Sequence, residues 1–539
     1  MFLFNIQNQT LKFLQGLGLS LFILSLSGCL QLNTALTEEQ QLQLAQEQAE
    51  EDALFDINPD DYTYWSEQNI WSRVRSGFSL TPQEDHPRLL TQLNWYNKHD
   101  DYINRVIERA EPFLHLIIEE VEARGLPAEL ALLPIVESAF QPFAYSHGRA
   151  AGIWQFIPST GRIYGLKQNW WYDGRRDVYA STMAALEYLE NLSQEFDGDW
   201  LLALAAYNSG SGTVRRAIRK NKSKNRPTDF WHLKLPKETQ AYVPKLLALK
   251  RLVANPASYD ISLRCIENTP YLERVETGSQ IDLAMAADMA NIDLETLYRL
   301  NPGFNRWATN PHGPHYLMVP IEHADALREG LNEVPPEKRI TWKRHKIRNG
   351  ETLSHISDRY DISVDNIKRL NNLRGSRLRA GKHLVIPVSS RKLSDYNLTA
   401  YQRKQTLQSI NRKGNRVVHI VKTGESFWEI SRRYDVSTRN LARWNGMAVK
   451  DPLRTGQKLV IWTRKPISPT ATSARNSGIN TIRRISYRVR NGDSLYLIAS
   501  KFNVAISDLH RWNRISGKYL KPGQMLRLYV DITNQTGEG

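Results

Sequence analysis

The chain has 539 residues, of which 41% are hydrophobic and 24% charged, so its composition is globular and it is too long for one hydrophobic core. Residues 340–539 carry 39 Lys and Arg against 13 Asp and Glu, a net charge of +26. The first 339 residues carry the remaining 32 Lys and Arg and 43 Asp and Glu, a net charge of −11. Two cysteines are too few for a zinc cluster, and the sequence has no HExxH motif, Walker loop or GxSxG elbow, so we expect neither a metal nor a cofactor.

The first segment predicts export. Lys12 precedes an apolar run over residues 13–26, which is too short and too interrupted by glycine for a membrane span and is typical of a signal peptide, here residues 1–28. It ends in Leu-Ser-Gly-Cys29, which resembles the bacterial lipoprotein box, in which the cysteine is acylated; an apolar helix with a chance cysteine is the alternative. The resemblance implies a periplasmic protein anchored to a membrane by lipid, and Leu30 favours the outer membrane. Export also excludes nucleic acid as the partner of the basic half, because an exported protein does not meet it.

A mostly helical region follows. Residues 29–88 are interpreted as a tether rich in Gln and Glu and a helical lead-in. Over residues 89–255 apolar residues recur at helical spacing, as in INRVIERAEPFLHLIIEEVEARG, which predicts one mostly α-helical domain with Gly125 at the end of this helix. Cys265 is left alone if Cys29 is acylated, and we expect it to be a buried small hydrophobic residue rather than a catalytic thiol.

The C-terminal half repeats itself three times. The segments KIRNGETLSHISDRYDISVDNIKRLNN, IVKTGESFWEISRRYDVSTRNLARWNG and YRVRNGDSLYLIASKFNVAISDLHRWNR align without gaps around a shared glycine. Apolar residues lie at +3 and +6 from that glycine, an aromatic residue at +10 and an asparagine at +21. Each repeat therefore predicts a strand, two helices and a second strand. The shared glycines and asparagines are Gly350, Gly424, Gly492, Asn371, Asn445 and Asn513.

These repeats resemble LysM modules, which have a βααβ fold and bind glycans that contain N-acetylglucosamine. We place them at residues 343–388, 416–463 and 485–530. Polar linkers are expected near 389–414 and 464–481, and a degenerate fourth copy at 265–335, where Gly278 and Asn301 are 23 residues apart rather than 21. The net charge of +26 suits the carboxylate-bearing stem peptides of murein, with ordinary solvated surface charge as the alternative.

Four local motifs in the helical region indicate chemistry. They are Glu137-Ser138 within ALLPIVESAF, Gly152-Ile-Trp-Gln155-Phe156, Ala206-Tyr207-Asn208-Ser209-Gly210, and Glu238-Thr-Gln-Ala-Tyr242. Their types, order and separations resemble the family 1 lytic transglycosylases, which are related to goose-type lysozyme. The resemblance implies a multidomain fold: a mostly α-helical, lysozyme-like catalytic domain followed by small α/β LysM modules. The Ile-Trp pair replaces the commoner Leu-Met, and Ser209 replaces Ala; neither change removes a functional group.

Glu137 is the candidate catalytic residue. Its apolar neighbours in the sequence predict a desolvated carboxyl with a raised pKa, which would be protonated near neutral pH and able to protonate a glycosidic oxygen. Taken alone, a glutamate in such a run is more often a helix-end or ion-paired residue. The candidate substrate-binding residues are Ser138, Gln155, Tyr207, Asn208, Glu238 and Tyr242. Hydroxyl, amide and aromatic groups suit sugars, although packing or helix capping is the alternative for each residue alone.

A second catalytic carboxylate is missing from the motifs. A hydrolase normally needs one, and the nearest candidate, Glu238, corresponds to a substrate-contact residue in the family. The resemblance instead implies cleavage of the β-1,4 bond between N-acetylmuramic acid and N-acetylglucosamine, with the muramyl C6 hydroxyl attacking its own C1 to form a 1,6-anhydromuramyl end. The alternatives are a muramidase that uses water and a non-catalytic lipoprotein that only binds peptidoglycan. No feature of the sequence indicates an oligomeric state.

Overall fold

The computed structural model describes residues 68–81, 86–464 and, with short gaps, 482–531. The expected signal peptide, Cys29, the tether and most of the linker at 464–481 lie outside the described residues, as does Gly492. The described chain divides into two compact units. One comprises the residues up to Ala144 and from Ala150 to Thr399; the other comprises Tyr145–Arg149 and the residues from Ala400 onward.

Within the residues that the structure describes, nine α-helices form the first part of the larger unit. They are α1 (Ile70–Ser76), α2 (Pro87–Asn97), α3 (Asp100–Ala123), α4 (Leu133–Ser138), α5 (Pro158–Ile163), α6 (Val178–Glu195), α7 (Trp200–Ser209), α8 (Ser211–Lys222) and α9 (Lys237–Ala254). Local sequence sets their ends: the Asp177 and Asp199 carboxylates cap α6 and α7 by accepting from backbone N–H groups. As predicted, Gly125 follows the end of α3, in a left-handed conformation with φ of 63°.

One hydrophobic core joins these helices. Helix α1, which we expected only as part of a lead-in, lies in this core with Ile70 and Trp71 buried. Cys265 was predicted to be buried and is exposed, so that prediction is wrong. Its neighbour Ile266 is 4% exposed and packs into the core, whereas Arg264 and Cys265 both lie on the exposed side of this irregular segment.

A small α/β module follows the helical domain. Its strands β1 (Leu272–Glu276) and β2 (Tyr316–Pro320) are antiparallel and enclose helices α10 (Leu283–Met289) and α11 (Leu294–Leu300). Helix α12 (Ile321–Glu333) packs beside them. This is the βααβ order expected of the degenerate copy. Its core takes in Trp171 and Tyr172 from the helical domain, so the two pack together.

The first full repeat lies in the same unit. It consists of β3 (Thr341–Lys346), α13 (Leu353–Tyr360), α14 (Val364–Leu370) and β4 (His383–Val388). Trp170 packs against its core, and the Arg306 guanidinium lies 4.1 Å from the centroid of the Trp170 ring. Arg306 also pairs with Asp361 at 3.1 Å. These contacts fix the first repeat to the helical domain and the degenerate module.

The segment after β4 differs from the expected polar linker. Tyr396 is fully buried in the core of the degenerate module, and its hydroxyl donates to the Asp282 carboxylate. Helix α15 (Ala400–Ser409) follows in the smaller unit, where Gln408 Nε2 donates to Asn445 Oδ1. The first part of the linker is therefore folded structure, because the Tyr396 side chain is taken up by a neighbouring core.

The smaller unit contains the second and third repeats. The second has β5 (Asn415–Ile420), α16 (Phe427–Arg433), α17 (Thr438–Trp444) and β6 (Lys458–Thr463); the third has β7 (Ile482–Arg488), α18 (Leu495–Lys501), α19 (Ile506–Asn513) and β8 (Met525–Asp531). Each contains one antiparallel strand pair. Together with the helical domain, these modules confirm the predicted fold class.

The repeated asparagine has a structural role in every module. Asn445 accepts from the Val460 N–H and donates to the Val460 carbonyl, which ties the end of the second helix to the final strand. Asn371 makes the same pair of bonds to Val385, Asn513 to Arg527, and Asn301 of the degenerate module to Met318. The amide supplies both a donor and an acceptor, which explains why asparagine recurs there.

Candidate active site

Glu137 lies in the last turn of the short helix α4. The helix ends abruptly because Ala139 and Phe140 both adopt left-handed conformations, with φ of 52° and 53°. This conformation costs a residue with a side chain roughly 1–2 kcal/mol. Phe140 is fully buried in the core, and this packing holds the turn in place. The partly buried Glu137 side chain is thus fixed by a strained, well-anchored backbone.

Tyr242 of helix α9 contacts the Glu137 carboxyl directly. Its hydroxyl donates to Oε1 of Glu137 at 2.5 Å, and the Tyr242 side chain is buried. Burial raises the pKa of Glu137 to about 7, with a smaller contribution from the nearby charge of Glu238, while the Tyr242 hydrogen bond and Lys245 oppose the rise. The carboxyl is therefore protonated in a good share of molecules near neutral pH, as the apolar flanking sequence predicts.

The loop of the second motif lies beside the acid. Ser138 Oγ donates to the Ile153 carbonyl at 2.9 Å, and Gln155 Nε2 donates to the Gly152 carbonyl at 2.7 Å. Gly152 has φ of 80°, and a Cβ atom there would overlap the carbonyl of Arg175. Only glycine permits this close approach of the two backbones.

The third and fourth motifs close the arrangement. The Tyr207 hydroxyl donates to the Trp154 carbonyl at 2.9 Å, which connects helix α7 to the loop. Asn208 Oδ1 accepts from Thr239 Oγ1 at 2.8 Å, which connects α7 to the start of α9. Glu238 is exposed on the first turn of α9. The fold therefore brings all four motifs together, although they span more than a hundred residues.

The predicted site residues differ in whether their polar groups already have hydrogen-bond partners within the protein. The hydroxyls of Tyr207 and Tyr242, the hydroxyl of Ser138 and the Gln155 amide nitrogen all have partners within the protein. These hydrogen bonds hold the four side chains in place. Such a structural role is the alternative to substrate contact for each residue. Glu238 alone among the predicted site residues is exposed.

Several supporting residues escaped the sequence analysis. Arg175 pairs with Asp173 at 2.7 Å and donates to the Phe156 carbonyl at 3.2 Å, which holds the end of the second motif. The Tyr188 ring lies 5.2 Å from the Tyr207 ring. The run Asp173-Gly-Arg175-Arg176-Asp177 is a dense charge cluster in a helical region, and this was the signal available in the sequence.

Among the residues that the structure describes, no group of three or more His, Cys, Asp or Glu side chains is arranged to hold a metal ion. No helix in the described part of the chain is long and apolar enough to cross a membrane.

Comparison with family models agrees with this architecture. Residues 116–230 match the transglycosylase SLT domain, residues 271–335 match the LysM-like domain of lytic transglycosylase MltD, and the LysM domain matches at 345–387, 419–462 and 487–528. A helical SLT domain followed by LysM modules defines a peptidoglycan lytic transglycosylase. Its LysM modules bind the glycan strands of peptidoglycan.

Similar proteins identify the family within this class. Membrane-bound lytic murein transglycosylase D of Escherichia coli (strain K12) is 39% identical over 412 residues, which are 74% of this chain and 87% of that protein. The chain belongs to the membrane-bound lytic murein transglycosylase D family. A protein of Alteromonas sp. (strain M-1), named for tributyltin chloride resistance, is 42% identical over 171 residues, 32% of this chain and 78% of its own length.

Among solved structures, the 70 kDa soluble lytic transglycosylase of Escherichia coli is 18% identical, and the match covers 37% of this chain and 35% of that one. The TM-score of that match is 0.24.

Proposed function

We propose that Glu137 serves as both acid and base in this lytic transglycosylase. The protonated carboxyl donates its proton to the oxygen of the β-1,4 bond as the bond from that oxygen to the muramyl C1 breaks. The carboxylate then accepts the proton of the muramyl C6 hydroxyl, whose oxygen bonds to C1. The products are a free 4-hydroxyl on N-acetylglucosamine and a 1,6-anhydromuramyl end, and Glu137 regains its starting proton.

The observation that carries this proposal is the setting of the Glu137 carboxyl, which the buried Tyr242 hydroxyl contacts at 2.5 Å and whose pKa burial raises to about 7. A group that donates a proton in one step and accepts one in the next works best when its pKa lies near the working pH. The Tyr242 hydroxyl supports the base step, because its hydrogen bond to Oε1 stabilises the Glu137 carboxylate. This bond does not involve Oε2.

We assign substrate binding to the groups around the acid: Ser138, Gln155, Tyr207, Asn208, Glu238 and Tyr242. The exposed Glu238 carboxylate is suited to accept hydrogen bonds from sugar hydroxyls. Tyr207 is partly exposed and offers a ring face to a sugar, since its hydroxyl is already bonded within the protein. The buried Tyr242 has little ring surface to offer, and its part in binding is to hold the Glu137 carboxyl toward the substrate. Gln155 and Asn208 each retain amide atoms for acetamido and hydroxyl groups.

The variant Glu137→Gln tests the assignment. It keeps the shape of the side chain but cannot deliver a proton, so we expect the rate on murein glycan to fall by at least roughly a hundredfold while glycan binding remains. Glu238→Gln is the matched control, and we expect this variant to have a higher KM and an unchanged kcat. A Glu137→Gln protein that keeps more than about a hundredth of the wild-type rate would refute the assignment.

Product analysis separates this mechanism from hydrolysis. Cleavage in isotopically labelled water should give 1,6-anhydromuramyl ends without label, because the nucleophile belongs to the sugar. Reducing muramyl ends that carry one labelled oxygen would identify a water-using muramidase. The Glu137→Gln variant, run in parallel, shows whether the observed product comes from this site.

We further propose that the protein is exported, lipidated at Cys29 and anchored in the periplasm, with the outer membrane favoured. The support is the lipoprotein box before Cys29, the leucine that follows it and the membrane-bound relative. Cys29→Ala should move the protein from the membrane fraction to the soluble periplasm once murein has been digested away. Retention of that variant in the membrane pellet would place the anchor elsewhere.

A further inference from the structure

Helix α8 and the residues after it form a dense positive surface. Residues 200–228 contain seven Lys and Arg and no Asp or Glu, although the first 339 residues carry a net charge of −11. All seven side chains are exposed. They are Arg215, Arg216, Arg219, Lys220, Lys222, Lys224 and Arg226.

Four of these cations lie on one side of α8, which we call the basic stripe: Arg215, Arg216, Arg219 and Lys220. The last three lie one, four and five residues after Arg215, which places all four on one face of the helix. The opposite face, with Val214 and Ile218, packs into the core of the helical domain. The stripe is therefore presented outward by a helix that is fixed in place.

Little within the described chain neutralises the stripe. Arg215 pairs with Glu195 at 3.1 Å, and Arg216 donates to Thr213 Oγ1. Arg219 and Lys220 form no ion pair with any residue that the structure describes. Like charges four residues apart destabilise a helix, so the stripe is unfavourable for folding alone and favours an external anion.

The stripe begins next to the active site. Helix α8 starts directly after Gly210, two residues beyond Asn208. Glu195, the partner of Arg215, lies on α6 two helical turns after Tyr188 and hence on the same face. The Tyr188 ring is 5.2 Å from Tyr207. The stripe therefore lies on the helix that follows the third motif, and Glu195 places its first residue about two helical turns, roughly 10 Å, beyond the Tyr188–Tyr207 pair.

We propose that the basic stripe binds the carboxylates of the stem peptides on the glycan strand held at Glu137, and so makes peptide-bearing murein the preferred substrate. This inference rests on the proposed function of Glu137. Each muramyl residue of murein carries its peptide beside the bond to be cleaved, so anionic groups recur along the strand. Arginine and lysine recognise such carboxylates by charge and by hydrogen bonds.

The test compares two substrates that differ only in the peptide. One is a glycan strand with its stem peptides; the other is the same strand after an amidase has removed them. The variant Arg216→Gln, Arg219→Gln, Lys220→Gln removes three charges from the stripe. We expect the ratio of kcat/KM for peptide-bearing over bare strands to fall about tenfold, the scale of several exposed ion-pair contacts, chiefly through KM.

A matched control removes the same charge elsewhere in the helical domain. Lys98, Arg105 and Arg162 are exposed on other helices or their ends, and their triple glutamine variant should keep the wild-type ratio. Because the contacts are exposed, salt at about 0.5 M should reduce the preference of the wild type but change the ratio of the stripe variant little.

The outcomes separate the two proposals. If the wild type cleaves neither strand, the proposed function fails and this inference fails with it. If the wild type cleaves both strands and the stripe variant keeps the wild-type ratio, only the stem-peptide inference is overturned. Binding to vesicles of phosphatidylcholine with phosphatidylglycerol is measured in parallel. A stripe variant that loses vesicle binding but keeps the substrate ratio would assign the stripe to phospholipid instead.

Discussion

The hydroxyl of Tyr242 donates a 2.5 Å hydrogen bond to Oε1 of Glu137, a residue 105 positions earlier in the chain. Two opposing effects meet at this carboxyl: burial raises its pKa and the Tyr242 bond lowers it. The balance places the pKa at about 7, so Tyr242 holds the acid below the pKa that burial alone would impose. Tyr242 is thus a positioning and tuning residue for Glu137.

Tyr242→Phe should shift the pH profile of the enzyme upward. Without the hydrogen bond the charged carboxylate loses stabilisation, so the pKa of Glu137 rises and the alkaline limb of kcat moves up by about one unit. The rate constant kcat at its optimum should fall because the carboxyl is less well oriented. Tyr207→Phe is the control, since the Tyr207 hydroxyl bonds to the Trp154 carbonyl rather than to Glu137. An alkaline limb that moves equally in both variants would contradict this role for Tyr242.

Glu137→Gln should stabilise the protein in a pH-dependent way. The ordinary pKa of a glutamate is 4.5 and that of Glu137 in the folded protein is about 7, so the folded state retains a proton that the unfolded state releases between these values. The wild type therefore loses stability as pH rises from about 4.5 to 7, by roughly 3 kcal/mol in total. Glutamine does not titrate, so the gain of the variant should be near zero at pH 4 and greatest at pH 8. Chemical denaturation at the two pH values measures it, and an equal gain at both would disprove the linkage.

Part of this site is readable in the sequence. The apolar residues around Glu137 predict its raised pKa, because neighbours in a short buried helix also surround the side chain in space. The partner of the acid is not readable in this way. Tyr242 reaches Glu137 only because helices α4 and α9 pack together, and no local pattern encodes that contact.

The repeats show the same division. Their spacing predicts the βααβ order, since it depends on local periodicity. It does not predict that Trp170 and Arg306 attach the first repeat to the helical domain and the degenerate module, or that Tyr396 leaves a polar segment to enter a neighbouring core. Cys265 was predicted wrongly for a related reason: the small hydrophobic character of a cysteine says little about which residues of an irregular segment face the core.

Gly152→Ala should disrupt the site far more than a comparable substitution elsewhere. Gly152 and Gly165 both have positive φ, 80° and 74°, but only at Gly152 would a Cβ atom overlap another backbone. Gly165→Ala should destabilise by about 1 kcal/mol, the strain of a left-handed alanine. Gly152→Ala should destabilise by about 3 kcal/mol or more and reduce activity, because the backbone around Arg175 must move. Thermal denaturation and the rate on soluble glycan are the measurements; similar losses in the two variants would argue against the close approach.

Arg306→Ala should loosen the attachment of the first repeat to the degenerate module and the helical domain. The Arg306–Asp361 pair is well covered, with side-chain exposures of 16% and 17%, and Arg306 also lies over Trp170. Truncation should therefore weaken the attachment by about 1–3 kcal/mol. Arg299→Ala is the control: Arg299 pairs with Glu295 in the same module at exposures of 66% and 47%, so its loss should stay below about 0.5 kcal/mol.

Hydrogen exchange across residues 341–388 measures this attachment, because a released module opens more often. The effect should also depend on pH. Burial raises the pKa of Asp361 and Arg306 opposes that rise, so in Arg306→Ala the unpaired carboxylate is costly at pH 8 and much less so once it is protonated at pH 4. Faster exchange confined to this module, larger at pH 8 than at pH 4 after correction for the intrinsic exchange rate, is the expected result. Equal exchange in the Arg306 and Arg299 variants would show that the first repeat is held by other contacts.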